Sequence, residues 1–285
     1  GFKTFGFAGG RPDVWEPDPL RFPYTADSAL YLAPPPPAAA PRRRDATPVS
    51  FSPPGSIGRT IRVLVQAQTR TTLVQARGGG ELQWRDRDGT ARRGGTFTGA
   101  VRVERREGRF SVTPVGASAR TGGGAVALRL APLDPDKPLE INGKPYRGTL
   151  EFHADGQGFI AVNALPLEEY LRGVVPLEMG RHDQSRLEAL KAQAITARTY
   201  AVKRALARVG QPFDVHASVQ DQVYGGAAAD HAMSDRAVRE TAGLVLLFGD
   251  SLAQTYYHST CGGTTASRHE VWGGESLPYL QSSPD

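Results

Sequence analysis

From Ile61 to about Val162 the chain alternates short apolar and polar runs. Ile61-Arg62-Val63-Leu64-Val65, Thr72-Leu73-Val74-Gln75, Val101-Arg102-Val103-Glu104 and Phe110-Ser111-Val112-Thr113 suit β-strands. Gly78-Gly79-Gly80, Gly94-Gly95 and Gly122-Gly123-Gly124 divide them as turns, and Asp88-Gly89 fits a tight hairpin. At Pro166 the period becomes helical: Leu167, Tyr170, Leu171 and Val174 recur at three- and four-residue spacing behind a proline suited to a first helical position. Pro176 is expected to end this helix and to set Leu177-Glu178-Met179-Gly180 on a turn. The capping box Ser185-x-x-Glu188 opens a longer helix that Gly210 stops, with Leu187, Leu190, Ala194, Ala197, Ala201, Ala205 and Val209 on its buried face. Leu244 to Phe248 and Leu252 to His258 read as strands about a Gly249-Asp250 turn. The fold class expected is α+β, a β-rich antiparallel N-terminal region joined to a mixed helix/strand core.

Composition sharpens the boundaries more than the chemistry. Pro34 to Pro37, Pro41, Pro48, Pro53 and Pro54, mixed with Ala and Arg, read as an extended linker. The Arg42-Arg43-Arg44 triplet within it fits a solvated tether better than an anionic contact. The expected division is a tail over 1–58, a β-rich region over 59–162 and a helical/β core over 163–285, or one continuous domain from 59. A length of 285 residues, with 39% hydrophobic and 22% charged, accommodates such a core. The net charge is +5, and 29 of 34 basic residues are Arg, which leaves nucleic acid, an anionic wall polymer and an acidic membrane surface open as partners. The single Cys261 excludes an internal disulfide framework. No run approaches the roughly 18 apolar residues of a membrane-spanning helix, and Gly1-Phe2-Lys3-Thr4 lacks the basic-then-apolar order of a signal peptide.

Glu178 is the carboxylate with most chemical promise. It stands between Leu177 and Met179, and apolar neighbours disfavour its charged form, as a general acid toward a glycosidic or ester oxygen requires. On the local pattern alone, a surface Glu or an ion-pair partner of Arg172 or Arg181 accounts for it better. Lys191 and Arg198 lie seven apart on the second helix with Glu188 three before Lys191. They form either a solvated stripe with an intrahelical pair or, with Gln193, a cationic lining for an anionic substrate. The six histidines form no H-x-x-x-H pair, so no metal or other cofactor is expected. His258, Ser259 and Cys261 are close in sequence, but there is no G-x-S-x-G elbow and no acid placed to orient His258. Walker and dinucleotide motifs are absent too.

From Ile141 onward, however, the chain resembles the SpoIID/LytB family, which comprises stage II sporulation protein D and the amidase enhancers. The matching stretches are INGKPYRGTLEF, VNALPLEEYLRGVVPLEM, EALKAQAITARTYAV, QVYGG, ETAGLVL and YYHSTCGG, in that order, with VWGG and PYLQSSPD near the end. The resemblance implies a SpoIID-type core that acts on peptidoglycan as a lytic transglycosylase. Glu178 takes the place of the family's catalytic glutamate, and the substrate is the MurNAc-GlcNAc bond of denuded glycan strands, cleaved to 1,6-anhydroMurNAc ends. It also implies Lys191, Arg198, Gln222, Tyr224, His258 and Ser259 as glycan-binding residues. The alternative it carries is a non-catalytic, wall-binding enhancer of an N-acetylmuramoyl-L-alanine amidase, with that amidase as partner. Either role places the protein in the cell envelope or outside the cell, and neither involves nucleic acid. Some sporulation members hold zinc just before the QxY motif. The corresponding stretch Asp214 to Asp221 keeps one His and no Cys, so packing is expected to hold that loop, and Cys261 is expected to be a buried, inert thiol. Separately, Phe5 to Asp18 resembles a short segment of the catalase-peroxidases without any haem-ligating context, and carries no functional weight.

Overall fold

The structure is a computed structural model that describes residues 60–180, 183–258 and 260–284. The proline-rich tail, the catalase-peroxidase-like stretch, Arg181, His182 and Ser259 lie outside the described residues. The described chain divides into two compact units, 60–256 and 257–284.

The first unit is built on a large, mostly antiparallel sheet. Its main strands are β1 (Thr60–Thr69), β2 (Thr71–Arg85), β3 (Ala91–Arg106), β4 (Arg109–Pro114), β5 (Arg120–Thr121), β6 (Ala127–Pro132), β7 (Leu139–Ile141), β8 (Lys144–Tyr146), β9 (Thr149–Asp155) and β10 (Gly158–Pro166). Their order is β1-β10-β9-β6-β2-β3-β4-β5, with β7 between β2 and β8, and the short strand β11 (Val215–His216) joins the β1 edge in parallel. The α+β class expected from the pattern is the class found. Alternation sets the buried face: Val74, Ala76, Leu82 and Trp84 of β2 meet Val101 and Val103 of β3 and Phe152 and Phe159 of β9 and β10 in one core. Strand β10 is apolar almost throughout and buried on both sides, because helices cover its outer face.

Two glycine clusters lie inside strands rather than between them. Gly78 to Gly80 fall in β2 and Gly94-Gly95 in β3, each beside a shift in the β2–β3 register, so these glycines make β-bulges. Only Gly122 to Gly124 and Asp88-Gly89 act as turns between strands, Gly89 with a φ of 87°.

The helices follow directly. Helix α1 (Leu167–Arg172) ends at Gly173, three residues before Pro176. Pro176 instead occupies the first turn of a second short helix, α2 (Val175–Met179), where its missing N–H has no intrahelical role. Glu178 is therefore a helical residue and not a turn residue. The long helix α3 (Leu187–Ala207) buries Leu190, Ala194, Ala197 and Ala201, but Val209 lies beyond its end and is 71% exposed. The expected Ser185 capping box does not form. Asp183 caps a one-turn 3₁₀ segment (Gln184–Arg186) by accepting from the Ser185 N–H, while Glu188 turns to Lys191. Helix α4 (Ala232–Glu240) packs on α3. The hairpin at Gly249-Asp250 exists, though its strands are only Leu247–Phe248 and Ser251–Leu252. No helix among the described residues is long and apolar enough to cross a membrane.

The second unit is a small segment with one short helix (Arg268–Trp272), closed by a Ser267–Glu270 capping box, and a two-residue strand pair. Its Cys261 is half-exposed, and so is not the buried thiol expected.

Candidate active site

Glu178 is 4% exposed, next to Leu177, whose side chain reaches the surface at 36% exposure. The carboxylate is met by the backbone of the extended segment Gln222 to Gly225: the Val223 N–H donates to Glu178 Oε1 at 2.6 Å. That segment is tied to each element around it. The Tyr170 hydroxyl of α1 donates to Gln222 Oε1 at 3.0 Å, and Gln222 Nε2 donates to the Ala197 carbonyl of α3 at 3.3 Å. The Tyr224 hydroxyl donates to Asn163 Oδ1 of β10 at 2.7 Å, while Asn163 Nδ2 donates back to the Arg147 and Thr149 carbonyls. The Gly225 N–H closes the set on the Gly173 carbonyl at 3.0 Å.

These contacts explain two glycines in the motifs. A Cβ on Gly173 would stand 2.5 Å from the Tyr224 ring, and one on Gly226, whose φ is 64°, would stand 2.3 Å from the Pro145 carbonyl oxygen. The Tyr224 ring fits between Tyr170 and Tyr146, with centroids 5.1 and 6.1 Å away. Burial pushes the Tyr224 hydroxyl well above the usual tyrosine range, so it stays a proton donor to Asn163.

Gln222 and Tyr224 thus flank the residue whose N–H meets the acid, and both are buried, turned to Tyr170, Ala197 and Asn163 rather than toward a polymer. Arg198 is wholly buried. Its guanidinium grips Glu168 of α1 through Nε at 2.9 Å and Nη2 at 2.7 Å, and it also donates to the Leu244 and Val238 carbonyls. Its neighbours are α1, α3 and α4, and no face of it is left for a substrate anion, contrary to the expected cationic lining. Lys191 lies at the surface but is held between Glu188 and Glu240, at 2.8 Å from each. Hydrogen bonds from Lys191 and Arg236 pull the Glu240 carboxyl down to about 2. Arg172, one of the two ion-pair partners considered for Glu178, belongs elsewhere: with Arg147 it bridges Glu169, Asp230 and Asp235. Gln193 is buried in α3. His258 is an exposed residue of the second unit.

The loop from Asp214 to Asp221 is held by charge rather than by packing alone. Asp214 accepts from the Arg62 backbone and guanidinium. Asp221, 0% exposed, collects four donors: the Tyr200 hydroxyl (2.7 Å) and Arg204 Nε (2.8 Å) on Oδ1, and the His216 N–H (2.8 Å) and Nδ1 (2.7 Å) on Oδ2. Burial alone would raise the Asp221 carboxyl, but the His216 N–H and ring, Tyr200 and Arg204 together hold it below the usual range. The i, i+4 spacing of Tyr200 and Arg204 on α3 is the one signal in the sequence that could have pointed to this hub. Among the described residues no three His, Cys, Asp or Glu side chains are grouped to hold a metal ion. A surface cavity of about 470 Å³, lined by Leu73, Arg102 and Val115 among others, contains no carboxyl group.

Residues 155–248, which contain Glu178, Arg198 and the segment Gln222 to Gly225, match the family model for stage II sporulation protein (SpoIID). An uncharacterised protein of Brachyspira hyodysenteriae is 38% identical over 141 residues, covering 49% of this chain and 38% of that protein. The amidase enhancer of Bacillus subtilis (strain 168) is 34% identical over 168 residues, 58% of this chain and 22% of the enhancer. Stage II sporulation protein D of Bacillus amyloliquefaciens is 33% identical over 138 residues, 43% of this chain and 39% of that protein. The chain thus spans less than half the length of these three relatives. No solved structure matches it.

Proposed function

We propose that this chain has a cell-wall function and that its chemistry is non-hydrolytic cleavage of glycan strands, with Glu178 as the single general acid and base. The observation that carries this reading is the enclosure of Glu178: one carboxyl group, 4% exposed, with Oε1 fixed by a backbone N–H. With Oε1 accepting, the proton of the neutral acid sits on Oε2. That proton passes to the glycosidic oxygen as the bond from muramic acid C1 breaks. The carboxylate so formed then takes the proton of the same sugar's C6 hydroxyl, whose oxygen bonds to C1 and closes the 1,6-anhydro ring. Glu178 ends as it began, and no water is consumed, so the second carboxylate of ordinary glycosidases has no task. Gln222 and Tyr224 serve by fixing the segment that meets the acid. Arg198 is no part of substrate binding in this proposal, and Lys191, whose charge is already shared by Glu188 and Glu240, has one N–H left to offer a lactyl carboxylate.

The test is release of soluble fragments from denuded peptidoglycan by the purified chain: Glu178→Gln should reduce the rate at least 100-fold, and an undiminished rate would overturn the proposal. The second reading is supported by the similarity to a protein named amidase enhancer and by the inward orientation of Gln222 and Tyr224. Here the protein binds wall glycan and stimulates an amidase, and stimulation survives Glu178→Gln. Both readings place it in the cell envelope or outside the cell.

A further inference from the structure

The proposed chemistry leaves one fully buried carboxylate, Asp221, without a task, and it stands two residues before the N–H that meets Glu178. We propose that Asp221 is the positioning residue of the Glu178 site: the four donors gathered on its carboxylate fix the chain so that the Val223 N–H reaches Glu178 Oε1. The inference rests on the reading of Glu178 as the working acid.

The geometry is demanding. Two residues of extended chain span about 7 Å, so the backbone between Asp221 and Val223 has little slack. Val223 N lies 2.6 Å from Oε1; a shift of about 1 Å would open this to roughly 3.6 Å, beyond hydrogen-bonding range. Downstream, Tyr224 and Gly225 are anchored to Asn163 and Gly173. Upstream, the chain arrives from a loop with two ion-paired ties, Asp214 on Arg62 at its start and Asp221 at its end, and Asp221 is the one adjacent to the segment that meets Glu178. The charged and titratable groups that face Asp221 are Tyr200 and Arg204 from α3 and His216 from β11. Each carboxylate oxygen carries one obligate donor, Arg204 Nε–H on Oδ1 and the His216 backbone N–H on Oδ2, so Asp221→Asn, nearly identical in shape, must turn an amide N–H₂ toward one of them. The substitution therefore removes the carboxylate charge and breaks at least one of the four bonds while leaving the packing volume unchanged.

The experiment uses the full chain and reads two quantities. The first is hydrogen exchange at the Val223 amide, relative to amides of β10 such as Ala161 and Val162. Asp221→Asn should raise Val223 exchange at least tenfold over that internal reference. Tyr200→Phe, which removes one donor and keeps the ion pair, should raise it by a smaller factor. Glu140→Gln, which removes an exposed pair with Arg77 and touches no part of this segment, should leave the ratio unchanged. The second quantity is the rate on denuded glycan, where Asp221→Asn should lower kcat tenfold or more with KM unaltered. Unchanged Val223 protection in Asp221→Asn would overturn the proposal, as would a loosened Val223 with kcat intact. Should the wild-type chain cleave no glycan, the reading of Glu178 falls, and the exchange ratio alone then upholds or overturns Asp221 as the tether.

Discussion

Replacing Glu168 with Gln strands a guanidinium. Arg198 is 0% exposed, and Glu168 supplies the only carboxylate it contacts among the described residues, through bonds of 2.9 and 2.7 Å. The carbonyls of Leu244 and Val238 accept two further bonds but bring no charge. A buried cation left without its anion typically costs about 3–5 kcal/mol. Glu168 also accepts from the Gly243 N–H, and Gln can replace that contact through its own oxygen, so the loss is electrostatic rather than a loss of packing. With a urea m-value of about 2 kcal/mol per molar, the unfolding midpoint should fall by about 1.5–2.5 M. Arg198→Met, by contrast, removes the buried charge itself and leaves Glu168 half-exposed to water, so it should cost clearly less than Glu168→Gln. The assay is urea unfolding followed by circular dichroism at neutral pH. A Glu168→Gln midpoint within about 0.3 M of wild type, or an Arg198→Met variant that is the weaker of the two, would refute the view of this pair as the internal clasp of α1, α3 and α4.

Other expectations follow from single contacts. Tyr224→Phe leaves Asn163 Oδ1 without that donor in a buried setting and should cost about 1–3 kcal/mol by the same unfolding assay. Gly173→Ala drives a methyl to 2.5 Å from the Tyr224 ring and should destabilise by about 1–3 kcal/mol; a melting temperature equal to wild type would count against that packing. Asp221 titrates below the usual carboxylate range when folded. Its stabilisation is therefore complete above the unfolded value of about 3.9 and is lost as pH falls through the lower folded value. The stability gap between wild type and Asp221→Asn should then be level above about pH 5 and narrow as pH falls below about 4, and a gap that widened there would contradict the sign.

Much of the fold was legible because period-2 alternation and the DG hairpin are local signals. The β1 to β4 strands followed from them, the alanine-rich face of α3 from its three- and four-residue spacing, and the short hairpin at Gly249-Asp250 from its two turn residues. The misreadings share one cause, which is that Gly and Pro punctuate a chain in more than one way. Gly78 to Gly80 and Gly94-Gly95 bend strands they were expected to end, and Pro176 starts a helix it was expected to end. At the site, Glu178 and the QVYGG segment were visible as motifs, but their mutual contact is long-range and carries no periodic signature. Arg198 misled for a related reason. On a helical wheel a polar position reads as solvated, and only the approach of Glu168 from α1, thirty residues away, turns that position into an interior one. The hub on Asp221 went unseen because its four donors come from α3 and β11, separated in sequence and joined only by the fold.

The central claim is that one enclosed carboxyl group both gives and takes the proton. Mass spectrometry of the products made from purified, peptide-free glycan strands tests it most directly, with wild type and Glu178→Gln run side by side in water enriched in ¹⁸O. The account predicts wild-type fragments ending in 1,6-anhydromuramic acid, about 18 Da lighter than hydrolysis products, with no ¹⁸O at the new end, and no such fragments from the variant. Reducing ends carrying ¹⁸O, or the same anhydro products from Glu178→Gln, would contradict it.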